Sequence, residues 1–65
     1  MKIAIGADHR GFAQKQFIID HLKNDQQYEL IDVGTYSPER TDFPIYADKV
    51  IQLIKTGQAQ QGILL

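Results

Sequence analysis

The sequence contains no cysteine. These residues therefore supply no disulfide, no thiolate nucleophile and no Cys-ligated zinc, and nothing in them points to an oxidising compartment. Long apolar runs are also absent, the longest being a few residues such as Phe17-Ile18-Ile19. A membrane span needs roughly 20 apolar residues, and a secretory h-region about 7 or more. Neither is present, which leaves the cytoplasm as the default location. No excess of one charge sign exists either: the formal net charge is -1, so composition calls for neither nucleic acid nor a membrane as partner. There is no G-x-G-x-x-G after the first apolar run, no Walker sequence and no Cys or His cluster, so dinucleotide, nucleoside triphosphate and metal chemistry lack motif support. Length is short as well. A domain of 65 residues buries only about 60% of the surface its unfolded chain exposes, and so small a core is marginal without outside help.

What is present alternates regularly. Lys2 to Gly6 is a short β-prone run closed by glycine, followed by the turn Ala7-Asp8-His9-Arg10-Gly11 and an amphipathic stretch from Phe12 to Asn24. Phe12, Lys15, Ile18, Ile19 and Leu22 share one helical face, with the Lys15 methylenes along it and the ammonium at its edge. Tyr28 to Val33, bounded by Gly34, gives a second strand. Thr35 to Phe43 carries no apolar period and is longer than an ordinary connection, a length at which loops are often functional. Asp42 stands as N-cap, Phe43 is pushed out of helical geometry by the proline after it, and Pro44 opens a second helix to Thr56. Tyr46, Ala47, Val50, Ile51, Leu53 and Ile54 form that helix's apolar face, and Gly57 suits a left-handed residue after its end. Gly62 to Leu65 is a third strand. The order β-α-β-α-β predicts an α/β fold, one half of a doubly wound, Rossmann-like parallel sheet with strand order 2-1-3 and right-handed crossovers.

Ligands in such folds sit at the carboxyl ends of strands near the switch point. Strand 1 delivers Asp8 and His9 there, next to a helix N-terminus whose free N–H groups and dipole favour an anion such as phosphate. A histidine here can hydrogen-bond phosphate or shuttle a proton, and an aspartate can accept from sugar hydroxyls. The alternative is that Asp8 caps the helix while His9 and Arg10 are solvated; placement alone leaves both open. His21, beside Asp20 and Lys23, has no partner at metal spacing and reads as a solvated face residue. Asp42 reads as a cap rather than a base. Tyr46 either packs in the core, the reading its position favours, or turns its hydroxyl to the pocket mouth. Glu39 to Asp42 mixes signs and reads as a solvated loop.

Three blocks carry a resemblance: Ile3-Ala4-Ile5-Gly6-Ala7-Asp8-His9-Arg10-Gly11-Phe12 with Lys15, then Ile31-Asp32-Val33-Gly34-Thr35, then Thr41-Asp42-Phe43-Pro44-Ile45-Tyr46-Ala47. In this order they resemble the ribose-5-phosphate isomerase B and galactose-6-phosphate isomerase family, and Gly62 to Leu65 is similar to the strand leading into that family's Cys-Gly-Thr-Gly loop. The resemblance implies aldose–ketose isomerisation of a phosphorylated pentose or hexose through an enediolate, with no metal or organic cofactor. It implies that Asp8 contacts sugar hydroxyls and His9 the substrate, at its phosphate end, and that Tyr46 lies near the sugar pocket; Arg10 stands where the family varies. The family's base, a cysteine or in some members a glutamate, follows strand 3, and its further histidine and phosphate-holding arginines lie later still. Residues 1–65 are thus expected to be one partial domain ending within or just after strand 3, with no catalytic base and no activity alone. The full-length protein is expected to be a homodimer or tetramer in the cytoplasm, with ribose 5-phosphate ahead of galactose 6-phosphate or allose 6-phosphate. A non-catalytic sugar-phosphate-binding module and a half-domain that completes its sheet with another chain are the competing readings.

Overall fold

The computed structural model describes residues Met1–Leu65. Its elements are β1 (Lys2–Gly6), α1 (Phe12–Leu22), β2 (Glu29–Asp32), α2 (Phe43–Lys55) and β3 (Gln61–Leu64). The strands form one sheet in the order β2-β1-β3, with both neighbours parallel to β1. This is the α/β architecture and strand order that the alternation of short apolar runs with helical periods predicts.

Side chains of successive strand residues point to opposite faces, and the two helices divide accordingly. Val50 of α2 forms a buried cluster with Ala4 and Ala59, against which Ile31, Val33 and Leu53 lie. The opposite face carries Ile3, Ile5 and, in register with Ile5, Asp32; α1 covers it, reaching Asp32 through Lys15. Because β1 is flanked on both edges and covered on both faces, Ile3, Ala4 and Ile5 are all buried, which explains a run that is apolar rather than alternating. The crossovers on opposite faces diverge at the carboxyl ends of β1 and β3. There Leu65 N–H donates to the Gly6 carbonyl at 3.0 Å, and a Cβ on Gly11 would stand 2.6 Å from the Leu65 carbonyl. The start of α1 and the end of β3 therefore share one small space.

Several boundaries differ from the sequence reading. Helix α1 ends at Leu22 rather than Asn24, because Asp25 starts a turn by accepting Gln27 N–H at 2.9 Å. Strand β2 is shorter than Tyr28–Val33 at both ends. Helix α2 begins at Phe43, not Pro44; the extended residue is Asp42 (φ -102°, ψ 126°), which holds the N-cap position without a side-chain capping bond. Gly57 takes the left-handed conformation expected of it, with φ +79°. Ile51 and Ile54, assigned to the buried face, are exposed, because the apolar arc of α2 is wider than the part of the helix that Val50 seats on the sheet. The largest departure is Lys15. Its side chain is 0% exposed and its ammonium lies 2.9 Å from Asp32 Oδ2, not at the rim. A fully buried lysine is rare unless paired, and Asp32, placed on the same face by register, is its partner.

Substituting Val50→Ala removes methyl groups from the space where α2 meets β1 and β3, and the expected loss is about 2 kcal/mol. Ile51→Ala, on the exposed side, is expected to cost less than about 0.5 kcal/mol. Urea unfolding of the two variants checks this; similar costs would show that α2 does not dock through Val50.

Candidate functional site

Two loops leave the carboxyl edge of the sheet and meet. The first follows β1. Asp8 Oδ1 accepts the backbone N–H of Arg10 at 2.9 Å and of Gly11 at 3.3 Å, while Gly11 N–H also donates to the Asp8 carbonyl at 3.1 Å. This is an Asx-type turn that spends one carboxylate oxygen on the backbone and leaves Oδ2 for another donor. The second follows β2. Ala7 N–H donates to the Gly34 carbonyl at 2.8 Å and Thr35 N–H to the Ala7 carbonyl at 2.7 Å, carrying the pairing of the two strands past their ends. Gly34 has φ +103° and the Gly34–Thr35 peptide is cis; a side chain at 34 would also meet the Tyr46 ring at 2.9 Å.

The loops close on each other through one side chain. Thr41 N–H donates to His9 Nδ1 at 3.2 Å. With Nδ1 accepting, the neutral imidazole carries its proton on Nε2, so His9 presents a donor away from Thr41. Around this bond lies a polar cleft of about 360 Å³, walled by Asp8, His9 and Arg10 from the first loop and by Arg40, Thr41, Asp42 and Phe43 from the second. Neither arginine has a carboxylate within 4.0 Å. The cleft thus combines free cationic donors, a neutral N–H and carboxylate acceptors, the set needed to hold an anion and its neighbouring hydroxyls. A larger cleft, about 530 Å³ between β2 and α2, has an apolar floor of Ile31, Val33 and Leu53 and touches none of these residues.

Of the residues singled out from sequence, Asp8 and His9 stand together in this cleft, and Tyr46 does not line it. Tyr46 is 8% exposed, its ring beside Gly34 and its Cβ beside Gly6. The buried Thr41 hydroxyl makes no hydrogen bond, and that of Thr35 donates to the Ser37 carbonyl at 3.3 Å. Turned toward Tyr46, these two hydroxyls stabilise its phenolate, and with the Lys49 ammonium 5.4 Å from the ring centroid they lower its pKa against the opposing effects of desolvation and Asp42. Tyr36 behaves oppositely: partial desolvation and the nearby Asp32 carboxylate raise its pKa. Arg40, Thr41 and Asp42, read as solvated loop and cap, instead form the second wall. The available signal was topological: the loop after β2 leaves the same sheet edge as the loop after β1. His21 is exposed and stacks on Phe17 with centroids 6.0 Å apart, and no group of three or more His, Cys, Asp or Glu side chains is arranged to hold a metal.

A family model described as Ribose/Galactose Isomerase matches residues 3–65. The chain belongs to this family. The ribose/galactose isomerase relatives include ribose-5-phosphate isomerase B of Escherichia coli (strain K12), 47% identical over 64 residues, which cover 98% of this chain and 42% of the relative. Galactose-6-phosphate isomerase subunit LacB of Clostridium acetobutylicum is 35% identical over 65 residues, covering 100% of this chain and 37% of LacB. Among solved structures, ribose-5-phosphate isomerase B of Clostridium thermocellum superposes with a TM-score of 0.91 at 44% identity, over 98% of this chain and 43% of that one. The chain spans about two fifths of the length of these relatives. No helix is long and apolar enough to cross a membrane.

In a spectrophotometric phenol titration, Tyr46 is expected to ionise below the ordinary value of about 10 and Tyr36 above it. Ionisation of Tyr46 therefore favours the folded state as pH climbs from its lowered value through about 10, whereas Tyr36 disfavours it as pH climbs from about 10 to its raised value. Tyr46→Phe should delete the early component and Tyr36→Phe the late one. Coincident titration of the two would show that Thr41 and Thr35 do not engage the Tyr46 oxygen.

Proposed function

We propose that residues 1–65 are a partial domain supplying the substrate-holding portion of an aldose–ketose isomerase that interconverts ribose 5-phosphate and ribulose 5-phosphate. The observation that carries this reading is the His9–Thr41 bond, which joins two loops around a polar, cation-bearing cleft at the switch point of a ribose/galactose isomerase fold. His9 Nε2–H, with Arg10 and Arg40 nearby, takes the phosphate end; Asp8 Oδ2 accepts from a sugar hydroxyl; Tyr46 supports the sugar pocket through Thr41. Isomerisation removes the C2 proton of the open-chain aldose, passes through an enediolate and returns a proton to C1. The resemblance implies a cysteine or glutamate base after β3, and on this reading the base comes from residues outside this stretch, which contains no cysteine. Leu65 lies against Gly11, and residues following β3 would leave it beside Asp8 and His9. The stretch alone is expected to be inactive. The reading carries with it a homodimer or tetramer in the cytoplasm and no metal or organic cofactor.

The identity to ribose-5-phosphate isomerase B, 47%, against 35% to LacB, favours the five-carbon substrate. The LacB likeness supports galactose 6-phosphate as the second reading, with allose 6-phosphate beside it. In the full-length protein, His9→Ala and Asp8→Asn are each expected to lower the rate of ribose 5-phosphate isomerisation by about tenfold or more, the worth of one lost charge-assisted hydrogen bond, with folding intact by circular dichroism. A parent that turns over neither ribose 5-phosphate nor a six-carbon sugar phosphate would end the isomerase reading.

A further inference from the structure

Nothing in the proposed chemistry uses the best-buried charge in the molecule. Lys15, 0% exposed, is held by Asp32 Oδ2 at 2.9 Å, with its ammonium 5.5 Å from the Phe12 ring centroid and 5.7 Å from that of Tyr36. Replacing a buried ion pair by apolar residues of similar volume often leaves a protein equally or more stable. Stability alone is thus a poor explanation of the pair, and its other contacts suggest a geometric one. Asp32 is fixed from three directions: Oδ2 by Lys15, Oδ1 by the Gly34 N–H at 2.9 Å, and its carbonyl by the Tyr36 hydroxyl at 2.9 Å. Gly34, so held, accepts Ala7 N–H at 2.8 Å, and Thr35 donates back to Ala7 at 2.7 Å. Asp8 and His9 follow Ala7 directly. The contact path therefore runs from α1 through Asp32 and Gly34 to the residue on which the first wall of the cleft is hinged, while the same loop goes on to deliver Thr41 to His9.

We infer that Lys15 and Asp32 are positioning residues, a part-buried pair that sets the spacing of the two cleft walls and thereby the placement of Asp8 and His9 against the substrate. This deepens the isomerase reading and rests on it for the word substrate, but not for the geometry. Loss of Asp32 leaves the Lys15 ammonium buried and unpaired, and loss of Lys15 frees one oxygen of a carboxylate that is 30% exposed and can turn toward water. The relief is movement of Asp32 or of α1, and a displacement of about 1 Å at a reacting group can lower a rate by about 100-fold.

The test compares Asp32→Asn, Lys15→Met and the control Val50→Ala in the full-length protein, reading the His9 imidazole nitrogen resonances and the Thr41 amide by NMR alongside kcat and KM for ribose 5-phosphate. Both pair variants are expected to shift the His9 and Thr41 signals and to lower kcat/KM by about tenfold or more. Val50→Ala should lower the melting temperature while leaving His9 in place. Pair variants that only lose melting temperature, as the control does, would overturn the inference. Should a single variant fail to fold, Lys15→Met/Asp32→Asn removes both charges and keeps an Oδ1 acceptor for Gly34; unshifted His9 and Thr41 signals there would equally overturn it. An inactive parent would sink the isomerase reading, and the NMR comparison would still decide this one.

Discussion

A positive charge lies entirely out of water in this small domain, and the arrangement of everything at the carboxyl edge of the sheet follows from how it is neutralised. The Lys15 ammonium has one carboxylate within reach, that of Asp32, and a charge removed from water must be paired and hydrogen-bonded or it does not stay charged. Meeting that demand ties α1 to the last residue of β2. Because Asp32 also accepts the Gly34 N–H, satisfying the lysine simultaneously fixes the turn from which the second cleft wall departs. One electrostatic constraint thus organises a helix, a strand end and a loop.

The other face of the sheet is organised by size instead of charge. Ala4, Ala59 and Val50 form its buried centre, and Gly6 lies under Val50 and the Tyr46 Cβ. Small residues on the strands let α2 come close, and closeness brings Tyr46 down to Gly34. The cost is breadth: Ile54 reaches β3 only at Gly62, and Ile51 and Ile54 remain 44% and 40% exposed.

Much of the frame was legible from period alone. Two helical periods alternating with three short apolar runs leave few arrangements for a parallel sheet, and the order 2-1-3 is the doubly wound one. Asp8 and His9 were legible as site candidates because they end a buried strand and precede a helix, a local pattern. Lys15 was placed on the right face, but its burial was not legible: its partner lies 17 residues away and is aligned with it only by the pairing of Ile5 with Asp32. Arg40 and Thr41 were hidden for a different reason. A loop without period carries no signal of which residues turn inward, and the 3.2 Å bond to His9 exists only once both loops are in place. Asp42 shows the limit of capping rules, since the position is right and the side chain serves the cleft wall instead.

The contact between Gly11 and Leu65 bears on how this sequence can change over time. A Cβ at residue 11 would stand 2.6 Å from both the carbonyl carbon and the carbonyl oxygen of Leu65, and 2.7 Å from its Cβ. Two of those three obstacles are main-chain atoms, which every amino acid possesses. Swapping Leu65 for something smaller therefore makes no room, and no compensating substitution across the contact restores what a larger residue 11 would displace. Position 11 is thus constrained by main chain from far along the sequence, and no choice of side chain at residue 65 relaxes that constraint where the end of the sheet touches the start of the first helix.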